Sequence, residues 1–262
     1  MRKNSLREKL NQDKPTLSTH VHSVWPTQIE ALGHTGIYDY VEFVAEYGPS
    51  DLHDLDNMCR AAELHNLGSM FKIDQSQMPF LAQRGIGAGF ESILFTDVRS
   101  IEEVRECITA ARPDHPDHKG LYGVATRRNS YWGYGGSQEY VDAIGDTVLA
   151  FMIEKKGAVD NLEEILEEPG VEMVQWGGAD FSMNVGKPRQ MKDPEVADAM
   201  KKTFELSIKM GVPPRAEIQS ADEMKQYLDW GVRHFSLGTD VVILYNYWKN
   251  EGEKVLRAME GE

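Results

Sequence analysis

Glu154 and Asp180, together with His20 and His22, are residues of this chain whose types and settings could do chemistry. Glu154 closes an apolar run, VLAFMIE, and Asp180 closes the next β-rich run, after VQWGGA. If the two runs are neighbouring strands, about 5 Å apart, carboxylates at matching heights can share one divalent cation. Oxygen-only ligation with open positions suits Mg2+, Mn2+ or Co2+ better than zinc. The bland alternative is that each carboxylate caps a following helix or pairs with a lysine. The stretch WGGADFSMNVG favours a site. Paired glycines beside an acid permit close backbone approach, and exposed N–H groups around Gly178 and Ala179 can hold a carboxylate or oxyanion. His20 and His22 stand two apart in THVHS. In a strand both imidazoles then face one way, either as bases or as hydrogen-bonded structural histidines.

The elements that position these groups alternate in type. Runs with strand character are TLSTHVH (16–22), YVEFVA (40–45), GSMFKI (68–73), ESILF (91–95), LYGVA (121–125), VLAFMIE (148–154), VEMVQW (171–176), RAEI (215–218) and HFSLG (234–238). Helical spacing lies between them: Leu52, Leu55, Met58, Cys59 and Ala62 form one stripe, and Ile101, Val104, Ile108 and Ala111 another. EEPG at 167–170 and KMG at 209–211 read as helix ends closed by glycine. The spacing predicts about eight βα units, the count of a TIM-type barrel, with one strand surplus. An open doubly wound sheet would need a phosphate-binding glycine turn after the first strand, and HVHSVWP is not one. In a barrel, functional groups gather where strands end. Those ends read His20 and His22; Glu46 and Tyr47; Lys72 and Asp74; Thr96 and Asp97; Arg127 and Arg128; Glu154; Gly177 to Asp180; Glu217 and Gln219.

Composition narrows the partners. A chain of 262 residues can bury a substantial core as one barrel domain over 1–262. A net charge of −14 argues against a nucleic-acid surface and against an anionic membrane face. No apolar run is long enough to span a bilayer, and MRKNSLREKLNQDK reads as a short amphipathic helix rather than a signal peptide. Two cysteines do not make a disulfide framework, so the expected compartment is the cytoplasm.

The segment MIEKKGAVDNLEEILEEPGVEMVQWGGADFSMNVG (152–186) resembles the metal-binding half of the class II pyruvate aldolases of the HpcH/HpaI family. Weaker likenesses run through 29–43, 100–113, 120–135 and 224–244, so the resemblance covers nearly the whole chain. It implies a (β/α)8 barrel of the phosphoenolpyruvate/pyruvate type, with an exchanged C-terminal helix and assembly into homo-oligomers, usually hexamers. It also implies metal-dependent cleavage or formation of a carbon–carbon bond next to a 2-oxo acid, with an aldehyde as the second substrate. Carried over by residue, Glu154 and Asp180 are the metal ligands, and Arg128 falls on an arginine near the metal. The oxo acid chelates through its carboxylate and keto oxygens, so two protein ligands suffice, and the metal stabilises the enolate.

The chain also departs from that pattern. The family's acid–base histidine follows its second strand, where this sequence has Val44-Ala45-Glu46-Tyr47. Its arginine after the third strand is replaced by Lys72, which keeps the charge but loses the planar fork. Arg215 and Glu217 stand where relatives tend to be apolar. The expectation is a 2-oxo-acid lyase in which Lys72 and Arg128 bind the carboxylate and developing enolate, and Tyr47 or His22 handles the proton. A related lyase or decarboxylase, and a non-catalytic oxo-acid-binding barrel, are the rival readings.

Overall fold

The computed structural model describes residues 1–125 and 130–261. Strands β1 (Thr16–Val21), β2 (Tyr40–Val44), β3 (Gly68–Ile73), β4 (Ser92–Phe95), β5 (Val148–Ile153), β6 (Met173–Trp176), β7 (Pro214–Ile218) and β8 (His234–Thr239) pair in parallel and in sequence order. β8 returns to β1 and closes the barrel. The surplus strand is LYGVA, which contributes only an isolated bridge between Pro113 and Tyr122. β4 pairs directly with β5, Ser92 opposite Val148, so no edge is left between them for another strand.

Side-chain alternation sorts the strands into an outer and an inner face. Phe43, Phe71, Phe95 and Phe151 point outward under the helices and are fully buried. Phe43 stacks on Phe71 at 5.9 Å between centroids, and Phe95 on Phe151 at 5.1 Å. Each such ring contributes about 2–3 kcal/mol by leaving water. Because Phe43 and Phe71 face out, their neighbours Glu42 and Lys72 face into the bore.

The helix over Leu52–Leu64 begins with a reciprocal cap. Asp51 accepts from the N–H groups of His53 and Asp54, and Asp54 accepts from Asp51 N–H. Its expected stripe is buried except at the first position, where Leu52 is exposed. The amphipathic N-terminal segment forms the helix Ser5–Asn11. Leu6 packs with Tyr40, Met70, Leu94 and Val148. Asn4 Nδ2 donates to Glu91 O, just before β4, so this helix plugs the end of the barrel away from the mouth.

Candidate active site

Glu154 follows β5 directly and is buried. Its Oε1 accepts from the Asp97 N–H at 2.8 Å. A Cβ at position 177 would lie 2.3 Å from Glu154 Oε2, so the glycine there makes room for the carboxylate. Asp180 does not end β6, as the sequence suggested; it lies in the first turn of the following helix, Gly178–Asn184. That turn still brings it to the mouth, where its charge raises the Glu154 carboxyl. Burial is the larger cause, and together they push Glu154 up to about 7.

Lys155, the residue after Glu154, donates to Asp180 Oδ1 at 3.0 Å and pairs with Asp97 Oδ1 at 2.6 Å. Asp97 holds φ at 60°, a left-handed conformation uncommon for a residue with a side chain. From there its amide serves Glu154 and its carboxylate serves Lys155. Among the described residues, these contacts occupy Glu154 Oε1 and Asp180 Oδ1, leaving Oε2 and Oδ2 for a cation. No group of three or more His, Cys, Asp or Glu side chains suited to a metal occurs among the described residues. An all-oxygen pair with open positions fits a hard divalent ion whose remaining ligands come from substrate and water.

Lys72 is almost wholly buried and pairs with Glu46 Oε2 at 2.6 Å. Burial alone would lower its pKa, but Glu46 and Glu42 more than offset that, so the ammonium is held charged above the ordinary lysine range. It lies 5.4 Å from the centre of the Tyr47 ring. Tyr47 in turn meets His22 with ring centroids 5.4 Å apart. The two candidates for the proton are therefore neighbours, one after β1 and one after β2. Their titrations diverge. Lys72 pulls the Tyr47 phenol down, yet burial and the charges of Glu46, Asp180 and Glu154 leave it above its usual value. Burial lowers His22, so its imidazole is neutral at pH 7.

His20 and His22 part company. A register shift against β8 lies between Ser18 and His20. His20 turns into the bore, its Nε2 3.2 Å from Glu42 Oε2 and 3.5 Å from Glu217 Oε1. His22 lies just past the strand, and its N–H donates to Asp240 Oδ2 at 3.0 Å. Gly178 and Ala179 open the helix that carries Asp180. Beside Gly178 is a cavity of about 370 Å3 walled by Trp176, Met191, Met200, Glu217 and Tyr227. Arg128 lies outside the described residues.

In the sequence Asp97 is legible only as a strand end, and Lys155 has no legible role. The available signal was position: Asp97 follows the β4 run, and Lys155 adjoins the first candidate ligand.

The family model described as HpcH/HpaI aldolase/citrate lyase matches residues 19–246. The 2-keto-3-deoxy-L-rhamnonate aldolase of Escherichia coli O9:H4 (strain HS) is 24% identical over 241 residues, 92% of this chain and 88% of that protein. Among solved structures, an HpcH/HpaI aldolase/citrate lyase family protein from Burkholderia cenocepacia J2315 superposes with a TM-score of 0.86 at 24% identity, covering 96% of this chain and 99% of the other. Citrate synthase SbnG gives 0.85 at 21% identity, covering 98% and 99%.

Proposed function

This chain belongs to the HpcH/HpaI aldolase/citrate lyase family, and from that membership we propose that it makes or cleaves a carbon–carbon bond next to a 2-oxo acid such as pyruvate, with an aldehyde as the other partner. It is a carbon–carbon lyase of the metal-dependent aldolase type. The observation that carries the substrate assignment is that Glu154 lies within electrostatic reach of both Asp180 and the buried Lys72 ammonium at the barrel mouth.

Glu154 and Asp180 would hold a divalent ion, Mg2+, Mn2+ or Co2+. That ion would polarise the keto group and offset the charge of the enolate. Lys72, fixed by Glu46, presents a permanent positive charge to the oxyanion that develops as the bond breaks. Arg128 is assigned by resemblance to the substrate carboxylate. N–H groups at Gly178 and Ala179, which open the helix carrying Asp180, would hold the carboxylate or oxyanion, and the cavity beside Gly178 would receive the aldehyde chain. His22, its imidazole mainly neutral at pH 7, accepts and returns the proton, while the ring of Tyr47, protonated at that pH, packs beside the imidazole and limits its movement.

The expected assembly is a homo-oligomer, a hexamer by resemblance, of cytoplasmic barrels each formed by 1–262. The helix Asp240–Glu260 supports this, because Val241, Ile243, Leu244, Tyr247 and Trp248 are exposed along it and only Asp240 is buried. Light scattering on the full chain measures the state. Among the described residues no helix is long and apolar enough to cross a membrane.

Exchange of the pyruvate methyl protons in deuterated water tests the chemistry. Exchange is expected with one of the three ions and not after chelation. A chain that catalyses no exchange with any of them is not a pyruvate enolising enzyme.

A further inference from the structure

Lys155 pairs directly with one of the candidate metal ligands, Asp180. Its side chain is 7% exposed, and its ammonium lies between Asp97 Oδ1 at 2.6 Å and Asp180 Oδ1 at 3.0 Å. Glu154 and Lys155 are consecutive at the tip of β5, so their side chains diverge: one enters the bore, the other passes back between the loops after β4 and β6. Asp97 completes the link. Its amide donates to Glu154 and its carboxylate grips Lys155, from a backbone conformation that persists only where its surroundings over-determine it. The two candidate ligands are thus joined through a half-buried ion pair.

We propose that Lys155 is an internal counter-cation that weakens the hold of Glu154 and Asp180 on a lone divalent ion, so that metal and anionic 2-oxo acid are bound well only together. The inference rests on the proposed function and deepens it. An ion held by the free oxygen of Asp180 sits one carboxylate away from the Lys155 ammonium, and like charges at that separation repel strongly in a partly desolvated site. Lys155 also cancels one negative charge of the ligand set. A chelating oxo acid restores that charge, and its carboxylate is attracted by the same ammonium. By linkage each ligand then raises the affinity of the other by one common factor. Asp180 meanwhile stays oriented in the absence of metal, because the ammonium holds its Oδ1.

The test is Mn2+ binding by the full chain, followed through the electron spin resonance of free Mn2+, with and without pyruvate and with no aldehyde present. The wild-type chain should bind Mn2+ at least tenfold more tightly with pyruvate. Lys155→Gln and Lys155→Met should bind Mn2+ alone about ten- to a hundredfold more tightly than wild type and gain less from pyruvate. Lys155→Arg, which keeps the charge, should retain the weak lone-ion affinity. Weaker or unchanged Mn2+ binding in the Gln and Met variants means Lys155 only braces Asp180, and overturns the proposal. Should those variants not fold, wild-type Mn2+ affinity that pyruvate leaves unchanged overturns it equally. If the wild-type chain enolises pyruvate but Lys155→Gln is no tighter, this inference alone falls. If no divalent ion supports proton exchange, the proposed function falls and takes the inference with it.

Discussion

The two sides of the barrel bore are built on opposite principles. From β3 to β6 the bore carries Met70, Leu94, Ala150, Met152 and Met173, an apolar cluster sealed below by Leu6, with Lys72, Ser92 and Gln175 as its buried polar members. From β7 through β8 and β1 to β2 it carries Arg215, Ser236, Ser18, His20 and Glu42, all buried. Arg215 is fully buried, and its guanidinium pairs with Glu42, hydrogen-bonds Gln175 and donates to Ser18 Oγ at 2.9 Å. Gln175 is the register neighbour of Arg215 on β6, but a β7 side chain can meet Glu42 of β2 and Ser18 of β1 only by crossing the bore. Burial alone would raise Glu42, but Arg215, His20 and Lys72 more than offset it and hold the carboxylate well below its usual range.

The apolar side follows the ordinary rule that area removed from water stabilises. The polar side does not optimise stability, since desolvating an ion pair costs about what the attraction returns. Arg215 Nε, Glu42 Oε1 and Ser236 Oγ also find no hydrogen-bond partner among the described residues. What the polar side does is tie the site above it together: Glu42 acts electrostatically on Lys72, and His20 bridges Glu42 and Glu217 at the mouth. Apolar burial dominates one side of the bore, and charge is concentrated on the other, with Lys72 of β3 as the cation that the apolar side contributes to the mouth.

That contrast can be broken most forcefully at Glu42. Glu42→Ala leaves Arg215 charged, buried and unpaired, and should cost about 3–5 kcal/mol in urea unfolding. The double change Glu42→Leu with Arg215→Met should recover most of that stability while pyruvate exchange stays impaired. If the double variant is as unstable as the single one, the ion pair is a true stabiliser and the contrast fails.

The second test uses pH at the foot of the polar side. Burial lowers His234 to about 4, and its Nδ1 lies 2.9 Å from Thr16 Oγ1. A histidine depressed in the folded state takes up its proton more readily when unfolded. Its stabilising effect is therefore complete above pH ~6.5 and is lost as pH falls from there towards 4, about 3 kcal/mol in all. His234→Gln should flatten unfolding free energy across that window; an unchanged slope would show that His234 is not the group responsible.

At the mouth, His22→Asn should slow pyruvate exchange about a hundredfold, about 2.7 kcal/mol of barrier, with the thermal midpoint unaltered. Tyr47→Phe should lose less, because the ring that packs on His22 is kept and the proton carrier is untouched. The reverse order would hand the proton to Tyr47. The smallest effect belongs to the apolar side, where Leu94→Met, a swap that conserves volume, should cost below about 1.5 kcal/mol and leave exchange intact.

Much of this was legible in the chain. Eight of nine strand-like runs form the barrel because alternation and β-branched or aromatic content report burial locally. LYGVA has the same local signature, and only the direct pairing of β4 with β5 excludes it. Glu154 was readable as an acid closing an apolar run, and Gly177 as backbone that leaves room for it. The role of Lys155 was not, because it depends on loops after three different strands meeting at one ammonium. Likewise Arg215 and Glu217 stood out as charges in a strand, with nothing in the order of residues to say that Arg215 meets Glu42 across the bore.

The sequence by itself determined the period of each element, the faces each strand would bury and the family, and it singled out Glu154 and Asp180 as candidates, since these follow from neighbours along the chain and from motifs of fixed spacing. Tertiary structure decided which charges face each other. It set His20 against Glu42 and Glu217, placed His22 beside Tyr47, and closed Asp97, Lys155 and Asp180 into one chain of contacts. The physical reason is the range of the forces. Secondary structure is governed by neighbours a few residues apart, whereas electrostatic partners are chosen by distance in space, and only closure of the barrel fixes those distances.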